Sequence, residues 1–90
     1  MNEKLADLEA ILVKEFRPTF LSLQYEEDEK KPFIHVVISS RQFNELSIDQ
    51  RVATVYKKVF DSQPDLLSML PVIVETFTSS EMVEIFEYIK

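Results

Sequence analysis

Residues 40–56, SRQFNELSIDQRVATVY, leave this chain few ways to fold. The stretch begins where an apolar strand ends, crosses a polar turn and enters an amphipathic helix. Ser47 is placed to cap that helix, because its hydroxyl accepts from an N–H that the first turn leaves unpaired. Asp49 near the start and Lys57 and Lys58 near the end complement the helix dipole. Ile48, Val52, Val55 and Val59 recur at the 3.6-residue period, giving a helix expected over 47–60 one apolar face. Such a face must be buried against another layer, and the flanking sequence has to supply it.

The flanks read as a sheet with further helices. Asn2 can cap a first helix running to about Phe16, with Leu5, Leu8, Leu12 and Phe16 as its stripe. Pro18 ends it, since the residue before a proline is pushed out of the α region. Phe20 to Glu26 alternates, with Leu21, Leu23 and Tyr25 on one side and Ser22 and Gln24 on the other. The charged run 26–31, EEDEKK, is expected as a solvated hairpin connection; without a glycine hinge it does not have the form of a calcium loop. Pro32 opens a second strand, Phe33 to Ser39, as a first-position proline can. A turn with a short helix at 65–69 leads to Pro71 and a third strand, Val72 to Phe77. Thr78 and Glu81 form a capping box for a last helix, 79 to about 89, with Met82, Ile85, Phe86 and Ile89 inward. The expectation is an α+β chain, one domain over 1–90, ordered helix, strand, strand, helix, short helix, strand, helix.

Composition removes whole classes of chemistry. The 90 residues contain no Cys, so disulfides, thiol catalysis and thiolate metal sites of the chain's own are excluded. They contain no Gly either, which removes phosphate-cradling loops, dinucleotide fingerprints and glycine-bearing nucleic-acid clamps. With 16 acidic against 10 basic residues the net charge is −6, which opposes loose binding to a phosphate backbone. No apolar run approaches the ~20 residues of a membrane span. A soluble, cytoplasmic protein is the expectation.

Catalysis finds no constellation. His35 is the only histidine and falls in mid-strand, so no metal or cofactor is expected on the isolated chain. The Ser39–Ser40 pair suits turn hydrogen bonds at a strand end, and Glu26–Glu27 and Glu84–Glu87 read as solvated acidic faces. Alternation instead points to a surface. It assigns Leu21, Leu23, Ile34, Val36, Ile38, Val72 and Val74 to a covered sheet face. Phe33, His35, Val37, Ile73 and Phe77 fall on the other, where large apolar residues on adjacent strands form one patch and mark an interface, with a partner or a second copy.

Several pieces in order resemble the BolA-like proteins, small α+β domains of type II KH-like topology. FRPTFLSL is similar to the family's phenylalanine–any–proline approach to its first strand. Val36 to Phe43 resembles its apolar strand closing in serine–any–any–phenylalanine. Phe43, Ser47, Gln50, Arg51, Val55 and Tyr56 fall in register with its central motif, and the third strand followed by 78–81, TSSE, resembles its ending. The resemblance implies three strands with helices on one face, no enzymatic activity, and a protein partner, a monothiol glutaredoxin in iron–sulfur or redox-linked regulation. A nucleic-acid-binding regulator using Arg41, Arg51, Lys57 and Lys58 is the alternative, with weak binding expected at physiological salt; a diverged scaffold with an unrelated protein contact is another. The departures fall on the metal chemistry. The family's arginine–histidine–arginine reads Arg51, Val52, Ala53, so Val52 replaces the histidine associated with cluster ligation. Phe33 stands where a histidine often precedes the second strand, with His35 two residues on, and Glu45 replaces the turn glycine. Arg51 has two readings, a surface helix arginine or a partner contact.

Overall fold

The computed structural model describes residues 2–28, 31–65 and 70–89, without the side chains at 2, 28 and 86–89. Its elements are α1 (Asn2–Phe16), β1 (Phe20–Asp28), β2 (Lys31–Ser39), a 3-10 turn (Arg41–Phe43), α2 (Ile48–Ser62), β3 (Val72–Phe77) and α3 (Ser79–Ile89). Asn2 is itself helical rather than a residue ahead of the first turn. All but the first residue of the short helix expected over 65–69 lies outside the described residues.

The sheet runs β1-β2-β3, with β2 antiparallel to β1 and parallel to β3. A parallel neighbour demands a crossover, and α2 is the helix in that connection. The charged run is shorter as a loop than expected. Glu27 pairs with Pro32 and Asp28 with Lys31, so the ladder runs to within two residues of closing. Apolar partners deeper in the strands set its register, and charged residues continue it at no cost where both edges are solvated. Pro32 therefore lies inside β2. Ile34 N–H donates to the Pro71 carbonyl on the β3 side. By the strand's two-residue period, the N–H that Pro32 lacks would point the same way, past the start of β3 at Val72.

Alternation divides the sheet as the sequence implied. Ile34, Val36, Ile38, Val72 and Val74 share one buried cluster with Leu8, Leu12 and Phe16 of α1 and Val55 and Val59 of α2. Leu21 and Leu23 pack against that cluster from β1. Phe43 reaches it from the 3-10 turn, fully buried, its ring tilted on Phe16 with centroids 5.7 Å apart. One polar side chain joins this covered face: Thr76 is buried with its hydroxyl unpaired.

The inner face of α2 differs in detail from its expected stripe. Arg51, Val55 and Val59 are buried, Val52 is only half-buried, and Ile48 is 60% exposed. Ile48 has the same angular position as Val55 and Val59 but sits in the first turn, so direction around the axis does not suffice to bury it. Ser47 caps this helix as expected, and Gln50 completes a capping box by accepting from the Ser47 N–H. Further along, the Tyr56 hydroxyl donates to the Val72 carbonyl and ties α2 to β3. In α3, Met82 is buried and Ile85 half-buried; Phe86 and Ile89 of the expected stripe lie outside the described side chains.

Candidate functional site

Two surfaces concentrate the polar and apolar groups that the core does not use. The first is the outer face of the sheet. Phe33, His35 and Val37 stand along β2 and are half-buried, with Ile73 exposed and Phe77 half-buried beside them on β3. Phe33 and His35 contact one another as tilted rings, centroids 6.4 Å apart. Sheet register sets what flanks the imidazole. Gln24 and Ile73 lie directly opposite His35, and the diagonal neighbours Glu26 and Glu75 carry carboxylates. His35 Nδ1 is 3.7 Å from Glu26 and Nε2 is 3.4 Å from Glu75. These separations suit ion pairing by a protonated ring, but neither is a well-formed hydrogen bond. The histidine thus sits in an apolar strip with an acidic group on either side.

The second surface is the end of the sheet where α1, β1 and β2 meet. Ser40 caps the 3-10 turn by accepting from Gln42 N–H, and its own hydroxyl donates to the Phe16 carbonyl at 2.6 Å. The Gln42 amide donates to the Glu15 carbonyl at 3.1 Å, and Thr19 N–H to the Ser39 carbonyl at 2.8 Å. The serine pair at the strand end therefore laces the chain together, as its position suggested. This lacing gives a physical reason for serine–any–any–phenylalanine: the serine fixes the turn and Phe43, three residues on, drops into the core. Arg17 ends α1 at φ 45°, in the left-handed region that glycine ordinarily fills at a helix end. Its N–H still donates to the Val13 carbonyl. The chain has no glycine to place there.

The basic side chains proposed from sequence are not all free at the surface. Arg51 is 4% exposed and Nη1 donates to Glu81 Oε1 at 2.7 Å. It is neither a surface helix arginine nor available to a partner. Its charge was legible, but the position of Glu81 thirty residues on was not. Glu81 also accepts from Thr78 N–H, closing the expected capping box, and its own N–H donates to the Thr78 hydroxyl. The Arg51 hydrogen bond, with help from the Thr78 N–H, holds the Glu81 carboxyl below its ordinary value. Lys58 lies 3.4 Å from Glu15 and braces α2 against α1. Arg41 and Lys57 are exposed. Arg17 was missed by sequence reasoning, because nothing in its own neighbourhood signals that Arg41 comes to lie near it.

An iron–sulfur cluster does not fit the residues present. Such clusters take thiolates and imidazoles, and this chain has no Cys and a single His. Val52, at the position of the family's ligating histidine, packs half-buried against the core. Among the described residues no group of three His, Asp or Glu is placed to hold a metal ion. No helix among them is long and apolar enough to cross a membrane.

No protein-family model matches the sequence, and no curated protein does. Solved structures do match in three dimensions. BolA1 from Arabidopsis thaliana superposes with a TM-score of 0.71 at 20% identity, covering 87% of this chain and 94% of that one. The BolA domain of SufE1 from Arabidopsis thaliana gives 0.70 at 20% identity, over 90% and 98%. A bol-like protein from Babesia bovis gives 0.69 at 18% identity, over 86% of each. The α+β, BolA-like fold that the motif order implied is the fold of this chain.

Proposed function

We propose that this chain is a diverged BolA-like accessory protein, not an enzyme, that works by binding a protein partner through the outer face of its sheet. One observation carries the reading. Phe33, Val37, Ile73 and Phe77 stand on the two strands around His35, Ile73 45% exposed among them, with no helix of the buried cluster on that side. An apolar strip rimmed by charge is what a partner-binding face requires. That the same fold occurs as a domain of SufE1 supports its use as a module attached to other proteins. By resemblance the partner is a monothiol glutaredoxin, and a cytoplasmic location goes with it. Val52 in place of the family's histidine means that this chain contributes contact, not cluster ligation, to such a pair. A second copy docking on the same face is the other occupant that the strip allows.

The nucleic-acid alternative draws no support from side-chain placement. Of its four residues, Arg51 is buried on Glu81 and Lys58 is engaged by Glu15, and the whole chain carries −6. The test is calorimetric titration of the untagged protein with a monothiol glutaredoxin, alongside sedimentation of the protein alone. A complex, or a dimer, is expected for the wild type and lost in the double variant Val37→Thr, Ile73→Thr. A folded double variant that keeps the wild-type assembly and binding would sink the proposal, as would a wild type that neither binds nor dimerises.

A further inference from the structure

We propose that a groove at the laced end of the sheet docks an acidic peptide segment of a partner protein, one with a large apolar side chain among its carboxylates. Two adjoining hollows form the groove. One, of about 460 Å³, has Phe20, Met82 and Val83 in its wall beside Thr19 and Arg41. The other, of about 400 Å³, is bordered by Arg17, Arg41, Ser40 and Gln42, again with Thr19. Because Thr19 and Arg41 belong to both, an apolar half runs directly into a cationic half. Each hollow lies in the size range of small-ligand sites, roughly 300–1,000 Å³.

Charge selects the occupant. The chain has 16 acidic residues, and the ion pairs among its described residues go to His35, Arg51 and Lys58. Arg17 and Arg41 are exposed and take part in none of these. An acidic protein that leaves two neighbouring arginines unpaired at one groove presents a local field opposite to its own. Thr19, Ser40 and Gln42 nearby are engaged on Ser39, Phe16 and Glu15, and the Ser79 hydroxyl in the apolar half is buried without a partner. What remains on offer is that one hydroxyl and two guanidinium groups, the latter suited to bidentate contact with carboxylates.

This arrangement fits a peptide better than its competitors. Exposed charges contribute little to holding a free ion in water. The one buried unpaired donor among the lining residues, the Ser79 hydroxyl, borders the apolar half and not the hollow that Arg17 borders. A carboxylate carried on a peptide whose apolar side chain fills the Phe20–Met82–Val83 half is held close by that anchor. A polyanion meets the net charge of −6 along the rest of the surface. The site is rigid for its size. The bonds from Ser40, Gln42 and Thr19 fix the end of α1 to the end of β2, and the left-handed backbone of Arg17 is held by its N–H on Val13. The groove adjoins the proposed partner strip, since Phe20 and Phe77 stand on either side of Ser39, but no residue of the strip lines it, and either proposal can hold without the other.

The experiment is fluorescence anisotropy of the full chain with a labelled hexapeptide bearing a leucine–phenylalanine pair flanked by two acidic residues on each side. Saturable binding is expected at low salt. Arg17→Asn, which tolerates left-handed backbone, and Arg41→Ala should each weaken it about threefold, and together about tenfold. Val83→Asp, at an exposed position in the apolar half, should weaken it by about tenfold without disturbing the circular dichroism. Wild-type affinity should fall as salt rises toward about 0.5 M, and that of the double arginine variant should barely change. Absence of saturable binding would overturn the proposal. So would equal binding by a peptide with lysine for its acidic residues, or wild-type affinity in the double arginine variant. Displacement by millimolar inorganic phosphate would make this a free-anion site instead, and peptide-driven dissociation of a dimer would assign the groove to a second copy.

Discussion

The two faces of the sheet are made from the same three strands, residue by alternate residue, yet only one is a core. On the inner face Ile34, Val36, Ile38, Val72 and Val74 are buried under α1 and α2. On the outer face Phe33, His35 and Val37 are half-buried and Ile73 and Glu75 exposed. The outer face mixes apolar Phe33, Val37, Ile73 and Phe77 with Gln24, Glu26, His35 and Glu75, yet apolar side chains stand on both. The difference is a second layer: two helices lie on one side, and apolar surface counts toward stability only where it leaves water. The lesson is that an apolar face is a packing element or a binding element according to what the rest of the chain puts over it.

The largest effect should come from removing the plug of the covered side. Phe43→Ala empties a fully buried position against Phe16 and is expected to cost about 3–5 kcal/mol, read as a lower urea midpoint. A loss below about 1 kcal/mol would mean that the turn collapses to fill the site, and that the core is less tightly packed than its burial implies.

The comparison is sharpest at two neighbouring valines. Val36 is fully buried and Val37 half-buried on the opposite face. Valine to threonine keeps the shape and adds a hydroxyl, so Val36→Thr should cost about 1–3 kcal/mol and Val37→Thr about 0.5 kcal/mol or less. Equal costs from chemical denaturation would show that the outer face is also a core.

Next in size is the ion pair between α2 and α3. Arg51→Met should cost about 1–2 kcal/mol near neutral pH, the range of a hydrogen bond to a charged group reduced by solvent at Glu81. Glu81 titrates below its ordinary 4.5 in the folded protein, chiefly through Arg51. A carboxyl depressed by folding contributes stability above its unfolded value and loses it as pH falls through the folded one. The wild type should therefore lose this contribution on acidification below about 4.5, and Arg51→Met should lose less over the same window. Parallel stability profiles of the two proteins would remove Arg51 as the cause.

The smallest expected change is a gain. Thr76 puts a hydroxyl with no hydrogen-bond partner on the buried face, and Thr76→Val replaces it with a methyl of the same shape. Thermal unfolding should show the variant more stable by about 1 kcal/mol. A loss instead would reveal a hydrogen bond to that hydroxyl and a less uniformly apolar inner face.

Much of this protein was fixed by local rules. Period-two alternation assigned each strand residue to its face, because successive side chains on a strand must point to opposite sides. Ser47, Thr78 and Pro18 marked helix ends, because the first N–H groups of a helix need acceptors and a proline constrains the residue before it. The BolA-like arrangement came from a resemblance of sequence pieces in order, from FRPTFLSL through the Phe43–Tyr56 motif to TSSE at 78–81. Local rules failed where the answer depended on distance in space between residues far apart in sequence. Ile48 has the angular position of a core residue but is exposed, since burial also requires something opposite it. Arg51 has the composition of a surface residue but is buried, since Glu81, thirty positions later, neutralises it there. Arg17 and Arg41 border one groove only because the Ser40 hydroxyl meets the Phe16 carbonyl across the chain. Periodicity and capping are properties of a few consecutive residues and survive in the sequence; charge pairing and grooves are properties of what the folded chain brings together.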